Sequence, residues 1–282
     1  MYTYIHDEIV PAEKAFLHVH DLSIQRGYGV FDFLKTQDGY PLFLIDYLTR
    51  FYNSADIMHM SVPRRPEEVI SIIHQLIKKN NLADSGIKMI LTGGYSEDGY
   101  QPGKPNLIIT QHPLTLPSED QIRKGVKIIT HDHVRDLPAV KTINYSTGIW
   151  LIDKIKESNA YDVLYHQKSI VSEFPRCNFF IVKKDNTVVT PADYVLYGIT
   201  RKNVLTLAAH KHKVEEGIIT IEDIYKAKEA FLTSTTKRIV PIVQINNTYI
   251  NDGEPGTVTF SLLRDLMALE AKEIAHQKSS YN

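Results

Sequence analysis

The residues of this chain that could most clearly carry out chemistry are a lysine, a glutamate and three groups suited to binding an anion. Lys141 opens the segment KTINY, and Glu173 ends the segment VSE. Arg50, the segment GITR at 198–201 and the segment TSTT at 233–236 supply a guanidinium, a glycine turn and hydroxyls. An amine that attacks a carbonyl, a carboxylate and a phosphate cradle are what an enzyme using pyridoxal phosphate must provide. The sequence therefore predicts pyridoxal-phosphate chemistry.

Lys141 is the candidate for covalent attachment of the cofactor. It follows a predicted strand and precedes a predicted helix. A partly desolvated amine in such a place is a good nucleophile. Taken alone, the residue is better read as an exposed loop lysine, because lysine is mostly a surface residue. Its place in the ordered set of motifs favours the catalytic assignment.

Glu173 is the candidate partner of the pyridine nitrogen. It lies between two strand-like runs and is followed by Phe174 and Pro175. A carboxylate among apolar neighbours is costly to bury unless it has a partner, and a protonated pyridine nitrogen would be one. A turn residue at a hairpin is the alternative that the local sequence leaves open.

Three segments could hold the phosphate. Gly198 and Thr200 mark the start of a predicted helix whose free N–H groups suit an anion, although a plain capped helix has the same pattern. Thr235 and Thr236 follow an apolar run and offer hydroxyls to a phosphate or a substrate carboxylate. Arg50 follows a periodic apolar stretch, so it could bind a phosphate oxygen or lay its stem over the core.

The order of the predicted elements favours an α+β fold with two domains. The clearest predicted helix is 66–79, whose apolar residues share one face. The segment 113–119 is rich in Pro, Thr and Ser, and it predicts a boundary between an N-terminal domain, 1–115, and a larger C-terminal domain, 116–282, that carries Lys141. Further helices are predicted at 147–157, 200–211 and 259–276, and strands at 87–92, 106–110, 126–130, 162–166, 177–182, 187–190 and 239–245.

The composition limits the classes of function. The 282 residues include 32 basic and 33 acidic side chains, a balance that argues against a nucleic-acid-binding protein. The single Cys177 fits a reducing compartment. The N-terminus lacks a signal-peptide pattern and no apolar run is long enough to span a bilayer, so we expect a cytoplasmic protein without a membrane partner. His131 and His133 share a strand face without a third ligand nearby, and no metal site is predicted.

The order of the motifs resembles that of the class IV aminotransferases, the pyridoxal-phosphate enzymes of fold type IV. The resemblance runs from about Tyr4 to Leu266, and its closest local match is to the D-amino-acid branch, in FLTSTT at 231–236 followed by PIV at 241–243. It implies two α/β domains with the cofactor in the cleft between them. It also implies a homodimer in which the partner subunit completes the substrate pocket.

The resemblance also implies roles for individual residues. Lys141 would form the internal aldimine in a ping-pong transfer of an amino group between an amino acid, D or branched-chain, and a 2-keto acid. Glu173 would pair with the pyridine nitrogen. Phosphate contacts would fall on Arg50, Ile199, Thr200 and Thr235, with Thr236 on the substrate side.

The chain departs from the family pattern next to two of these residues. The glutamate is usually followed by Gly-Ser, whereas this chain has Phe174 and Pro175, so we expect a changed approach to the cofactor ring. The histidine usually found three residues before Arg50 is Tyr47, whose phenol could still donate a hydrogen bond.

The carboxylate trap of the D-amino-acid enzymes, a tyrosine and an Arg-x-His pair, is missing. The corresponding positions hold Phe31, Asp98 and Tyr100. Arg26 lies in a loop where the relatives are usually apolar or aromatic, and an arginine there needs a carboxylate partner. We therefore expect Arg26, with Lys88, to bind the substrate carboxylate, with the partner subunit as one source of Arg26.

Two of these interpretations have alternatives. Arg26 could form an internal ion pair with Asp21 or Asp32. The reaction could instead be that of an aminodeoxychorismate lyase, which would use the same Lys141 and Glu173. A degenerate relative that binds cofactor weakly and acts as an interaction protein is a further, non-enzymatic alternative.

Overall fold

The structure is a computed structural model that describes residues 1–280, and it divides into two compact units. The first unit comprises Met1–Thr115, Val140–Asn144 and the described residues from Lys272 onward. The second comprises Leu116–Ala139 and Tyr145–Ala271. The predicted domain boundary between residues 115 and 116 stays a prediction. The two compact units interleave in sequence, and the short segment with Lys141 belongs to the first of them.

The first unit is built on a six-stranded antiparallel sheet with two long helices. Its strands follow the order β2-β1-β6-β5-β3-β4. Its elements are β1 (Tyr2–Ile5), β2 (Glu8–Pro11), α1 (Leu22–Arg26), β3 (Gly29–Gln37), β4 (Tyr40–Pro41), α2 (Leu44–Ile57), α3 (Pro66–Asn80), β5 (Ser85–Thr92) and β6 (Leu107–Pro113).

The two faces of this sheet differ in burial. Ile87, Met89 and Leu91 of β5 are fully buried, whereas Lys88 and Ile90, which alternate with them, are half-buried. Side chains of a strand point alternately to opposite faces, so one face forms core and the other is more open. The residue pattern of β5 thus places Lys88 on the open face.

Helix α3 has a clear start, a clear end and one apolar face, as its sequence predicts. Pro66 occupies its first turn, where a missing N–H costs little. The Glu68 carboxylate accepts a hydrogen bond from the backbone N–H of Arg65 at 2.9 Å, and Asn81 ends the helix in a left-handed conformation. The apolar stripe includes Val69 and Ile73, both fully buried. The helix predicted at 66–79 is confirmed.

The second unit is built on a mixed sheet in the order β12-β11-β10-β13-β14-β7-β8-β9, with β15 paired to β14. The pairs β11 with β12, β14 with β7, and β7 with β8 are parallel. Its elements are α4 (Glu119–Lys124), β7 (Val126–Asp132), α5 (Ser146–Trp150), α6 (Ile152–Glu157), β8 (Val163–Gln167), β9 (Ile170–Val171), β10 (Asn178–Val182), β11 (Val188–Pro191), α7 (Ile199–Ala209), β12 (Val214–Gly217), α8 (Ile221–Lys226), β13 (Glu229–Ser234), β14 (Arg238–Ile245), β15 (Thr248–Tyr249) and α9 (Thr257–Ser280).

Both faces of this sheet are covered. Phe180 and Phe231 pack with Val204 of α7 and Leu262 of α9 on one side. The alternating residues, among them Phe179, belong to a separate apolar cluster. A central strand buried on both sides reads as one continuous apolar run, which is the pattern of β10.

The helix predicted at 147–157 is wrong in one respect, because the segment forms two short helices. The break falls at Leu151, which has φ −81° and ψ −3°. Its side chain is buried in a small cluster with Ile129, Val163 and Tyr165. Leu151 thus separates α5 from α6 while its side chain packs against these strands.

The described part of the chain holds no helix that is both long and apolar enough to cross a membrane.

Candidate active site

Lys141 is held beside β3 by backbone hydrogen bonds. The Phe31 N–H donates to the Lys141 carbonyl at 2.9 Å, and the Ile143 N–H donates to the Gly29 carbonyl at 3.1 Å. A Cβ atom at Gly29 would lie 2.8 Å from the Leu91 carbonyl oxygen, so only glycine allows this close approach. Strand-like pairing thus fixes the backbone of a half-buried lysine.

The ammonium group of Lys141 lies 4.6 Å from the centre of the Phe31 ring. The Lys88 ammonium lies 5.0 Å from the centre of the same ring. Burial lowers the pKa of Lys88 from its ordinary value. Among the described residues no carboxylate pairs with Lys88, so this half-buried cation is suited to an anionic ligand. The structure therefore brings together Lys141, Phe31 and Lys88, three residues singled out from the sequence.

Arg50 on α2 is fixed by a buried carboxylate. Its Nε donates to Asp32 Oδ2 at 2.9 Å and its Nη2 to Oδ1 at 2.7 Å. Asp32 is fully buried, and the ring of Tyr47 lies 5.4 Å from the guanidinium carbon. A two-point contact sets the guanidinium plane. Tyr47, in place of the usual histidine, packs on that guanidinium.

The internal ion pair considered for Arg26 is wrong. The Asp21 carboxylate accepts hydrogen bonds from Thr92 Oγ1 at 2.7 Å and Asn106 Nδ2 at 2.9 Å, and Asp32 is taken by Arg50. Arg26 is exposed at the end of α1, and its Nη1 donates to the Gln25 carbonyl. Binding of a substrate carboxylate by Arg26 stays a prediction.

The loop where relatives carry their Arg-x-His pair has a different role here. The Asp98 carboxylate accepts hydrogen bonds from the backbone N–H groups of Gln101 at 2.8 Å and Tyr100 at 2.9 Å. These bonds hold the pKa of Asp98 below its ordinary value. Tyr100 is 80% exposed. Asp98 thus stabilises a turn. Neither Asp98 nor Tyr100 supplies a cation that could bind a substrate carboxylate.

Glu173 is a buried carboxylate with a cationic partner. Arg135 Nε donates to its Oε1 at 2.9 Å, and the two side chains are 10% and 5% exposed. Its Oε2 accepts from the Leu196 N–H at 3.0 Å and from Asn178 Nδ2 at 3.3 Å. These contacts supply hydrogen bonds to both oxygens of a buried carboxylate. Glu173 lies between β9 and β10, which do not pair with each other, so it is not a turn residue at a hairpin.

Sequence reasoning missed Arg135 and Asn178. The one signal for Arg135 was the general need of a buried carboxylate for a cation, which does not say which of the basic residues supplies it. Arg135 is further held by its own contact with the Pro138 carbonyl at 2.7 Å. Asn178 gave no signal beyond its position at the start of a predicted strand.

Of the two unusual residues after the glutamate, Phe174 is part of the core and Pro175 is half-buried. Phe174 is fully buried, with its ring 6.1 Å from that of Phe179, and its N–H donates to the Cys177 carbonyl. Pro175 packs against Gly148, where an added Cβ would lie 2.9 Å from Pro175 Cβ. The aromatic ring of Phe174 therefore contributes to packing.

The start of α7 has no side-chain cap. Gly198 precedes Ile199 and Thr200, which are both buried. A Cβ atom at Gly198 would collide with Asn178 Oδ1, so the position needs glycine. The N–H groups of the first turn have no acceptor within an α-helix. Since Asn178 also bonds to Glu173, this one amide joins the glutamate to the helix start.

Thr235 and Thr236 lie in the turn between β13 and β14. The Lys237 N–H donates to Ser234 Oγ at 3.2 Å inside this turn. Arg238 follows with a φ of 53°, a left-handed conformation that is uncommon for a residue with a side chain. Both threonines are half-buried.

Comparison with known proteins shows the family of this chain. A family model described as amino-transferase class IV matches residues 29–245. A protein of Methanocaldococcus jannaschii, provisionally named branched-chain-amino-acid aminotransferase, is 32% identical over 96% of this chain and 97% of its own length. A D-alanine aminotransferase of Staphylococcus epidermidis is 26% identical over 92% of this chain and 94% of its own.

Solved structures share the fold. A branched-chain amino acid aminotransferase of Escherichia coli superimposes with a TM-score of 0.89 at 23% identity, covering 96% of this chain and 95% of its own. A provisionally named 4-amino-4-deoxychorismate lyase of Legionella pneumophila gives a TM-score of 0.83 at 24% identity, covering 92% and 97%. The predicted α+β, fold type IV architecture is confirmed. Because the family model covers most of the chain and the archaeal relative nearly all of it, this protein belongs to the class IV aminotransferases and is a pyridoxal-phosphate-dependent transaminase.

Proposed function

We propose that this protein transfers an amino group between an amino acid and a 2-keto acid in two half-reactions with ping-pong kinetics. The observation that carries the proposal is the setting of Lys141, a half-buried amine on a fixed backbone beside the rings and cations of β3 and β5. The names of the relatives, a branched-chain and a D-alanine aminotransferase, support this class of substrate.

The residues present fit pyridoxal phosphate. The start of α7, where Gly198 lets Asn178 pack closely and no side chain caps the helix, suits its phosphate, with Ile199 and Thr200 as the contacts. Arg50, with its plane set by Asp32, adds a cation. We assign Thr235 to the same phosphate and Glu173 to the ring nitrogen.

Bound pyridoxal phosphate supplies an aldehyde that condenses with amines and a ring that withdraws electrons. Lys141 would hold the cofactor through its Nζ, and the same Nζ would serve as the base and acid that moves the donor Cα proton. Glu173 would pair with the protonated ring nitrogen, and Arg135 holds Glu173 in place through their ion pair at 2.9 Å.

The substrate side is assigned to cations that lack acidic partners among the described residues. Lys88 and Arg26 would bind substrate carboxylates, with Phe31 and Thr236 lining the same side. We further expect a cytoplasmic homodimer in which the partner subunit closes the substrate pocket.

The visible absorption spectrum with added pyridoxal phosphate tests the function. We expect a cofactor band that bleaches with amino acids of one hand and returns on addition of a 2-keto acid. A Lys141→Ala variant should lose the band, whereas Lys124→Ala, which removes an exposed lysine of α4, should keep it. A bound cofactor that no D- or L-amino acid bleaches would contradict transamination.

The lyase remains the second candidate, since a solved protein of that provisional name has the same fold. A lyase would release pyruvate from aminodeoxychorismate without an added 2-keto acid, which a transaminase would not. Absence of any bound cofactor in folded protein would instead favour the non-enzymatic relative.

A further inference from the structure

The turn that carries Thr235 and Thr236 is anchored at its far end by two ion pairs. Arg238 Nε lies 2.7 Å from Glu270 Oε2 of α9, and Lys237 Nζ lies 3.2 Å from Asp162 Oδ2. These basic residues directly follow the two threonines in sequence. The turn is thus attached to two different elements of the second unit.

The pair of Lys237 and Asp162 is the more enclosed of the two. The side chains are 14% and 6% exposed, and the ammonium also lies 4.4 Å from the centre of the Tyr161 ring. Asp162 is itself fixed at the start of β8, because its Oδ1 accepts the Val163 N–H at 2.9 Å. The Lys237 side chain has few rotamers available in this enclosed position. The ion pair therefore restrains the backbone of the turn.

Lys237 is charged in this setting. Burial alone would lower the pKa of its ammonium, but the neighbouring Cys177, Asp162 and Tyr161 together raise that pKa above its ordinary value. A buried ion pair is weak support for stability, because the cost of removing both charges from water offsets much of their attraction.

We propose that the ion pair of Lys237 and Asp162 positions the turn so that Thr235 presents its hydroxyl and N–H to the cofactor phosphate. The inference rests on the proposed function, since it takes Thr235 as a phosphate contact. Lys237 does not touch the phosphate in this account; it acts through the turn and is a positioning residue.

The test separates phosphate binding from general damage. Dissociation constants of the apoprotein for pyridoxal phosphate and for phosphate-free pyridoxal are measured by equilibrium dialysis. For Lys237→Met, which keeps an apolar stem, we expect the affinity for pyridoxal phosphate to fall by roughly tenfold and that for pyridoxal by less than about twofold. Asp162→Asn, of nearly equal volume, should shift the ratio the same way and covers the case in which Lys237→Met fails to fold.

Lys226→Met is the matched control, since Lys226 forms an exposed pair with Glu222 at 2.6 Å. It should leave both constants unchanged. Equal weakening of both ligands, or an unchanged ratio in both test variants, overturns the positioning role. If the unaltered protein binds pyridoxal phosphate no more tightly than pyridoxal, the phosphate site itself is wrong, and the proposed function fails with it.

Discussion

Lys88 and Lys141 lie against the same aromatic ring, with their ammonium groups 5.0 Å and 4.6 Å from the centre of Phe31. Two cations on one ring repel each other, and an anionic ligand beside them offsets that repulsion. The proposed catalytic lysine and the proposed carboxylate-binding lysine therefore lie beside the same ring. This relationship connects the attachment of the cofactor with the choice of substrate.

Replacement of Lys88 tests its substrate role. Lys88→Met should raise KM for the donor by roughly tenfold and change kcat much less, because binding of a remote carboxylate is lost. Lys79→Met is the matched control, since the Lys79 ammonium also lies over an aromatic ring, 4.3 Å from the centre of Tyr2. Steady-state kinetics with several donors measures both. An unchanged KM for every donor would rule out the assignment.

The pH dependence of KM follows from the same residue. Burial lowers the pKa of Lys88, so its ammonium loses the proton below the ordinary lysine range. A neutral amine no longer attracts a carboxylate, and KM should therefore rise as pH increases through the alkaline range. In Lys88→Arg the rise should disappear, because a guanidinium stays charged. A rise of equal size in that variant would trace the effect to another group.

Loss of the cation beside Glu173 should be costly. Arg135→Met leaves a buried carboxylate without its charged partner, and we expect about 3 kcal/mol lower free energy of unfolding. Arg123→Met, which breaks the exposed pair with Asp120, should cost under about 0.5 kcal/mol. Urea unfolding of the apoproteins gives both values. Equal losses in the two variants would contradict the buried character of the pair.

One methyl group added at Gly198 would disturb the packing at the start of α7. A Cβ at Gly198 would collide with Asn178 Oδ1, so Gly198→Ala should displace the amide that links Glu173 to the helix. We expect weaker binding of pyridoxal phosphate by roughly tenfold or more. At Gly217 an added Cβ meets nothing within 4 Å, so Gly217→Ala should bind normally. Titration of each variant with pyridoxal phosphate measures this difference in affinity, and equal affinities in the two variants would contradict the prediction.

The motifs could be located from sequence because each has a local signature. The glycine before Ile199 marks a helix start, and α3 has both a proline at its first turn and a regular apolar stripe. Such signals depend on neighbours a few residues apart. They gave the fold class and the order of the site residues.

The contacts between distant residues could not be found in that way. Phe31 is opposite Ile90, and Lys88 is opposite Phe33, only because β3 pairs with β5 in one register. A shift by one residue would turn Lys88 into the core. The choice of Arg135 as partner of Glu173, 38 residues away, likewise depends on the tertiary structure.

The most direct test of the central claim is to find the lysine that holds the cofactor. The protein is incubated with pyridoxal phosphate, reduced with borohydride and digested, and the peptides are analysed by mass spectrometry. We expect the pyridoxyl label on the peptide that contains Lys141 and its loss in Lys141→Ala. A label at other lysines with none at Lys141 would contradict the assignment of the catalytic residue.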